Sequence, residues 1–317
     1  MSFNDLRVER VEGELEDALL KLYPTMTNGF VKIGEKKWHL PYKFVEISNK
    51  VYNFKVYQDD TWIVTYPRSG TTVTQELIWL VANDMNFEEA HLRPLRDRFP
   101  FTHAIATDGD LSCSSNNHEV KLDFIQNQAS PRFIKTHMPF DLLPTVVNSD
   151  CKIVYVARNP RDMVISLFNF HKNLTLYNYQ GTFEQFCDLF LNNHMTWSPY
   201  WEHVKEAWAM TKHRTNLLFL FYEDLIKDLP ETIKKVAAFF GKVYNDEQIA
   251  KLVKHLKIEN FQKNPMVTED ISMIKPEEFI RKGKIGSWKK LFTIEIEEKF
   301  NKWITDNLKD TDLTFPV

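Results

Sequence analysis

The chain has 317 residues, of which 43% are hydrophobic and 14% aromatic, enough for a large buried core. Its formal net charge of −3 at pH 7 excludes a broadly basic surface of the kind that binds nucleic acids, so any anion site must be local. No apolar run reaches the roughly 18 residues that a membrane span requires, and Cys113, Cys151 and Cys187 lack the spacing of a metal site. We therefore expect a soluble cytoplasmic protein with reduced thiols.

The first 60 residues carry few signals of function. Residues 1–37 are mixed and charged, and they predict a peripheral N-terminal segment with one short helix near residues 15–22. Residues 38–60 contain several aromatic side chains without a regular period, which is typical of core residues that precede a buried strand.

Residues 62–72, with the sequence WIVTYPRSGTT, predict a buried strand, a tight loop and the start of a helix. The first unpaired N–H groups of that helix fall near Gly70, Thr71 and Thr72. An anion placed there meets those donors, the positive end of the helix dipole and the guanidinium of Arg68. The loop lacks the first glycine and the lysine of the loop that binds nucleoside triphosphates, so it predicts a P-loop-like cradle for a different phosphate. The alternative is a strand-to-helix turn capped for stability alone.

The order of strand, polar loop and helix recurs along the chain. Residues 133–137 predict a short strand whose end presents Lys135 and His137 on the same side, because they are two residues apart. Residues 151–157 predict a buried strand followed directly by Arg158, and residues 217–222 predict another apolar strand. Strands that alternate with helices predict an α/β fold with one central parallel sheet flanked by helices. Ligands of such sheets bind at the carboxyl ends of the strands, so these polar residues can share one site.

Three helix boundaries can also be predicted. Thr182 and Gln185 have the spacing of a capping box, Ser198 and Pro199 predict the cap and first residue of the next helix, and Gly241 predicts a helix stop. Residues 260–287 lose regular periodicity and carry basic residues around two glycines, which predicts a flexible basic segment. No linker separates two halves of the chain, so residues 1–317 predict a single domain.

Four motifs need a common explanation. They are Tyr-Pro-x-Ser-Gly-Thr-Thr at 66–72, Lys-Thr-His at 135–137, Phe-Tyr-Glu-Asp-Leu at 221–225 and Arg-Lys-Gly-x-x-Gly-x-Trp-Lys at 281–289. In this order, and over about residues 44–300, they resemble the cytosolic sulfotransferases. That family moves a sulfuryl group from 3′-phosphoadenosine-5′-phosphosulfate (PAPS) to a hydroxyl or amine acceptor and leaves 3′-phosphoadenosine-5′-phosphate (PAP). The resemblance implies a small-molecule acceptor, with no metal, nucleic acid or membrane partner.

The resemblance also implies roles for individual residues. The catalytic residues would be His137 as general base, with Lys135 and Arg68. The nucleotide would contact Arg68, Ser69, Gly70, Thr71, Thr72, Val73, Arg158, Ser166, Tyr222, Leu256, Ile258, Arg281, Lys282 and Gly283, with residues 260–287 as a cap over it. The acceptor would contact Phe44, Pro67, Phe101, Lys135, His137 and Phe170. A homodimer would form through Lys289, Thr293, Ile294 and Glu298.

The residue types suit this chemistry. Transfer of a sulfuryl group requires in-line positioning and cations on the departing phosphate, by analogy with phosphoryl transfer. The acceptor hydroxyl must lose a proton, and neutral histidine is a suitable base near pH 7. Two departures from the family stand out. First, Arg68 replaces the usual lysine, and arginine is a poor proton donor to the leaving oxygen. Second, Val73 and Ile258 replace the usual aromatic residues at the adenine, so dispersion contacts would hold that ring.

Other functions fit parts of the sequence. A P-loop kinase would bind ATP and Mg²⁺, but the lysine of that loop and a convincing acidic metal partner are missing from the sequence. A second alternative is a dehydratase that sulfates an alcohol such as a retinoid and then eliminates sulfate, as an insect relative does. A third is a non-catalytic carrier of a nucleotide or a lipophile. Lys135 and His137 argue against it, whereas Arg68 and Val73 leave it open.

Overall fold

The computed structural model describes residues 2–102, 118–268, 279–280 and 283–316. Near the N-terminus, β1 (Val8–Arg10), β2 (Phe30–Ile33) and β3 (Trp38–Pro41) pair as a small antiparallel sheet. The main sheet is parallel, with the order β5-β4-β6-β7, and contains β4 (Thr61–Thr65), β5 (Phe133–Thr136), β6 (Lys152–Ala157) and β7 (Leu217–Phe221). The predicted α/β fold with a central parallel sheet is confirmed.

Helices cover both faces of the main sheet. In chain order they are α1 (Glu14–Leu22), α2 (Phe44–Tyr52), α3 (Thr71–Ala82), α4 (Phe87–Leu92), α5 (Leu95–Arg98), α6 (His118–Gln126), α7 (Pro144–Val147), α8 (Pro160–Asn173), α9 (Phe183–Leu191), α10 (Tyr200–Met210), α11 (Tyr222–Lys227), α12 (Leu229–Phe239), α13 (Asp246–Leu256), α14 (Ile258–Phe261), α15 (Pro265–Thr268) and α16 (Ile294–Leu308). Single turns of 3-10 helix lie at Phe3–Asp5, Phe140–Leu142 and Ser287–Lys290.

The main sheet separates two hydrophobic cores. Successive side chains of a strand point to opposite faces, so a buried parallel strand is apolar throughout. On β4, Trp62 and Val64 belong to one core, which α8, α9, α10 and α16 cover. Ile63 of β4 and Val154 of β6 belong to the other core, against α3, α12 and α13. Because helices cover both faces of the main sheet, a ligand can enter at the carboxyl ends of its strands.

The N-terminal segment differs from the peripheral segment that the sequence predicts. Phe30, Val31 and Ile33 of β2 are buried, and they pack in the same core as Trp62 and Tyr66. The three strands of this sheet have three or four residues each, too few for an alternating pattern to be recognised. Residues 3–41 therefore form part of the wall of the core.

Two of the three helix boundaries agree with the sequence. Thr182 and Gln185 form the reciprocal capping box at the start of α9, and Gly241, with φ +66°, follows the end of α12. The prediction for Ser198 is wrong, because α10 begins at Tyr200 with Pro199 as its cap. The hydroxyl of Ser198 instead hydrogen-bonds to the hydroxyl of Tyr66 at 3.2 Å.

Three buried histidines predict a loss of stability in mild acid. Burial lowers the pKa of His39 and His171 to about 3 and that of His203 to about 4. Unfolded imidazoles titrate near pH 6.5, so below that pH the unfolded chain binds more protons than the folded chain. We expect the free energy of unfolding to fall by up to about 4 kcal/mol per pH unit as the pH drops from 6 towards 4.

Urea unfolding at pH 7, 6 and 5 measures this slope. The variant His171→Gln should lower this slope by the contribution of one proton. A free energy of unfolding that stays constant from pH 7 to pH 5 would contradict the burial of neutral imidazoles.

Candidate functional site

A cavity of about 1230 Å³ lies at the carboxyl ends of the parallel strands. Each strand ends at a residue or loop that lines it. The loop after β4 contributes Arg68, β5 is followed by His137, β6 by Arg158, and β7 by Tyr222. The parallel sheet thus brings together polar residues that are far apart in the sequence.

The loop between β4 and α3 holds two residues at positive φ, Arg68 at +67° and Gly70 at +94°. A Cβ atom added to Gly70 would lie 2.4 Å from Cδ2 of Tyr222, so the absence of a side chain lets the tyrosine ring rest on the loop. The guanidinium of Arg158 lies 4.4 Å from the centre of that ring and donates a hydrogen bond to the carbonyl of Arg68 at 3.0 Å. Arg158 and Tyr222 therefore hold the loop in shape.

Two buried polar atoms of this loop region have no hydrogen-bond partner among the described residues. They are the hydroxyl oxygen of Ser69, a fully buried residue, and Nε of Arg158. A buried donor that is left unpaired costs about 1–3 kcal/mol. Anions accept hydrogen bonds from such groups, so the loop suits a phosphate or sulfate group.

Thr65 orients the imidazole of His137, and His203 holds its backbone. Its Nδ1 lies 2.9 Å from the carbonyl oxygen of Thr65, and a carbonyl only accepts, so Nδ1 carries the proton in the neutral ring and Nε2 holds the lone pair. The backbone carbonyl of His137 accepts a hydrogen bond from Nε2 of His203 at 3.0 Å, while Nδ1 of His203 lies 2.8 Å from the hydroxyl of Tyr155. Because burial lowers the pKa of His203 to about 4, that ring is neutral at pH 7 and keeps this arrangement.

Aromatic rings form the other side of the cavity. The ring of Phe101 lies 5.2 Å from that of His137, and the ammonium of Lys135 lies 4.6 Å from the centre of Phe101. Phe170 on α8 packs against Phe279 with ring centres 6.0 Å apart. These apolar walls next to a histidine suit a flat or elongated apolar molecule with one hydroxyl group.

Arg68 contacts both parts of the cavity. Its guanidinium lies 4.8 Å from the centre of Phe170 and 4.7 Å from that of Phe279. It donates hydrogen bonds to the hydroxyl of Ser166 at 3.1 Å and to the carbonyl of Phe279 at 2.5 Å. A lysine could supply the charge here, but its ammonium lacks the planar face and the fork of donors that make these four contacts.

A model of the sulfotransferase domain matches residues 58–312. The chain belongs to the sulfotransferase family. It is 34% identical to human sulfotransferase 4A1 over 84% of the chain and 86% of that protein, and 30% identical to bovine sulfotransferase 1E1 over 92% and 97%. The predicted PAPS-dependent sulfotransferase is thereby confirmed.

Solved structures resemble this sulfotransferase over most or all of its length. A crystal structure of retinol dehydratase in a complex with retinol and PAP is 36% identical, has a TM-score of 0.87 and covers 100% of both chains. A mouse sulfotransferase SULT7A1 structure, complexed with PAP, is 26% identical, has a TM-score of 0.68 and covers 87% of this chain and 94% of that one. These comparisons support PAP and PAPS as the nucleotide pair of the family.

Most predicted site residues of the sulfotransferase line the cavity. Besides those described above, the lining includes Pro67, Thr71, Thr72, Val73, Ser166, Leu256, Ile258 and Gly283. Phe44 does not line it: this ring is buried at the start of α2 and packs against Phe3, at 6.5 Å between ring centres. Arg281 and Lys282 lie outside the described residues.

Several residues of the site were not predicted from the sequence. Tyr177, Trp197 and Phe279 line the cavity, and Trp197 adopts φ +76°, an outlier for a bulky residue. The carboxylate of Asp162 accepts hydrogen bonds from the backbone N–H groups of Gly286 at 2.6 Å and Trp288 at 3.3 Å. Asp162 thereby fixes the end of the basic segment to α8.

No group of three or more histidine, cysteine or acidic side chains in the described ranges is arranged to hold a metal ion. Among the helices of the described part, none is both long and apolar enough to span a bilayer.

Proposed function

We propose that this sulfotransferase transfers a sulfuryl group from PAPS to the hydroxyl group of a small apolar acceptor, with His137 as general base. The observation that carries this proposal is the position of the His137 imidazole, whose Nδ1–H donates to the Thr65 carbonyl beside an anion loop and an aromatic wall. In this tautomer Nε2 takes the proton of the acceptor hydroxyl as the oxygen attacks.

The nucleotide would be held at both ends. Residues 68–72 would bind its 5′ end through backbone N–H groups and the hydroxyls of Ser69, Thr71 and Thr72. Arg158 and Ser166 would bind the 3′-phosphate, together with Arg281, Lys282 and Gly283. The adenine would contact Tyr222 and the aliphatic side chains of Val73, Leu256 and Ile258. When bound, the nucleotide supplies the sulfuryl group.

Charge stabilisation would come from Arg68 and Lys135, which line the cavity next to His137. We expect Arg68→Ala to lower kcat by about 100-fold or more, because a cation beside the leaving oxygens acts mainly in the transition state. The KM for the acceptor should change much less, and Arg68→Lys should keep part of the activity because it retains the charge. Steady-state kinetics with PAPS and a phenol make the comparison. An alanine variant as active as wild type would remove Arg68 from the catalytic set.

Phe101, Phe170, Tyr177, Trp197 and Phe279 would enclose the acceptor. Lys289, Thr293, Ile294 and Glu298 are all exposed, as a dimer contact on the surface requires, and we propose that they join two copies of the chain. We further propose that the enzyme acts in the cytoplasm.

Dehydration of an alcohol through its sulfate ester is a second candidate. It is favoured by the 36% identity and the TM-score of 0.87 to retinol dehydratase over the full chain. Incubation with PAPS and a panel of phenols, steroids, retinoid alcohols and amines, followed by mass spectrometry, separates the two. A stable sulfate ester supports simple transfer; an anhydro product with free sulfate supports dehydration. Lack of PAPS consumption with every acceptor would contradict both.

A further inference from the structure

The hydroxyl of Thr65 connects the imidazole of His137 to the anion loop. Its oxygen lies 3.0 Å from Nδ1 of His137 and 2.7 Å from the hydroxyl oxygen of Thr71, the first residue of α3. Thr65 is fully buried at the end of β4, and Thr71 is 6% exposed. The two threonines are thus buried, while His137 is partly exposed to the cavity.

The direction of these hydrogen bonds follows from the Thr65 carbonyl. Since that oxygen accepts from Nδ1 at 2.9 Å, Nδ1 carries a proton. The hydroxyl oxygen of Thr65 lies 3.0 Å from the same nitrogen, in reach as a second acceptor. Of the two directions open to the bond between the threonine hydroxyls, the one in which Thr65 donates to Thr71 leaves the Thr71 proton to point towards the loop that lines the cavity. In this direction all donors point from His137 to the anion loop.

We propose that Thr65 is a positioning residue that transmits the occupancy of the anion loop to His137. This inference rests on the proposed function, in which the loop holds the 5′ end of the nucleotide. An anion that accepts from Thr71 polarises the hydroxyls behind it, and hydrogen bonds in a chain strengthen one another. The Nδ1–H bond then tightens, which raises the basicity of Nε2. His137 is thus a stronger base when the donor nucleotide is in place.

Other charged groups also surround His137 and must be held constant in a test. They are Lys135 on β5, Arg68 in the loop and Arg158 after β6, which line the same cavity. The ring of His203 on α10, which contacts the backbone carbonyl of His137, is neutral at pH 7. A bound anion acts on His137 directly through space as well. The role of Thr65 is therefore tested by the NMR signal of the Nδ1–H proton. This signal is compared between variants that differ only at the hydroxyl of residue 65.

Nuclear magnetic resonance of histidine-labelled protein provides this comparison, with His137→Gln used to assign the signal. PAP is added to wild type, Thr65→Val and Thr65→Ser, and calorimetry on the same samples measures PAP binding. Thr61→Val is the matched control, because Thr61 is a buried threonine at the other end of β4. We expect the Nδ1–H proton signal to move downfield on PAP binding in wild type, Thr65→Ser and Thr61→Val. In Thr65→Val that movement should be lost or at least halved.

Kinetics supply a second readout. Thr65→Val should lower kcat about tenfold, with an unchanged KM for the acceptor, and Thr65→Ser should restore most of the loss. If PAP binds and Thr65→Val shows the same Nδ1–H movement as wild type, the inference about Thr65 is wrong while the proposed function stands. If wild type fails to bind PAP, the proposed function is wrong and the inference falls with it.

Discussion

His137→Gln should lower kcat by about 10²–10⁴-fold, the range over which a positioned general base accelerates proton transfer. Glutamine has a similar reach and can still donate to the Thr65 carbonyl, but it cannot take a proton from the acceptor hydroxyl. The affinity for PAP should stay close to that of wild type, because His137 lies beside Phe101 on the aromatic side of the cavity. A quenched-flow assay of product formation and calorimetry with PAP measure the two quantities.

The control for His137→Gln is His213→Gln, since His213 is exposed in the turn after α10 and does not line the cavity. That variant should match wild type in both assays. If His137→Gln kept the full rate, the base would be another group, and the orientation of the ring by Thr65 would have no role in catalysis.

Gly70→Ala should weaken PAP binding by about 100-fold. The new Cβ would lie 2.4 Å from the ring of Tyr222, and φ at this position is +94°. Backbone strain of this kind costs about 1–3 kcal/mol, and each 1.4 kcal/mol is worth about tenfold in affinity. To relieve the clash, the loop and the tyrosine must move apart, which removes the N–H groups of the loop from the 5′ end of the nucleotide.

The variant Gly241→Ala tests the effect of backbone strain at positive φ without a steric clash of the new Cβ. Gly241 has φ +66°, but an added Cβ would meet nothing within 4 Å. We expect this control to lose thermal stability without a change in PAP affinity. Equal PAP affinities for Gly70→Ala and wild type would mean that the loop does not bind the nucleotide in the way proposed.

The sequence predicts the parts of the site that depend on local patterns. The strand and loop of residues 62–72 are recognisable because a buried strand, a glycine and a helix start follow one another. The meeting of His137 and Arg158 follows from a general property of parallel sheets, whose carboxyl ends share one edge.

The remaining parts depend on tertiary contacts that have no local signal. Phe44 was predicted to contact the acceptor, but an aromatic residue on the apolar face of a short helix packs equally well in a core, and Phe3 covers it. Trp197 and Phe279 reach the cavity from segments whose course is set by distant contacts. Arg68 contacts Ser166 and Phe279, which follow it in the sequence by 98 and 211 positions.

Transfer of radioactive sulfur from labelled PAPS tests the central claim most directly. Wild type, mixed with the acceptor that the panel identifies, should move the label into the organic product in a single turnover and leave PAP. His137→Gln should bind the same nucleotide and transfer the label at least about 100 times more slowly. Transfer at the same rate by both proteins, or retention of all label in PAPS by wild type, would contradict the account.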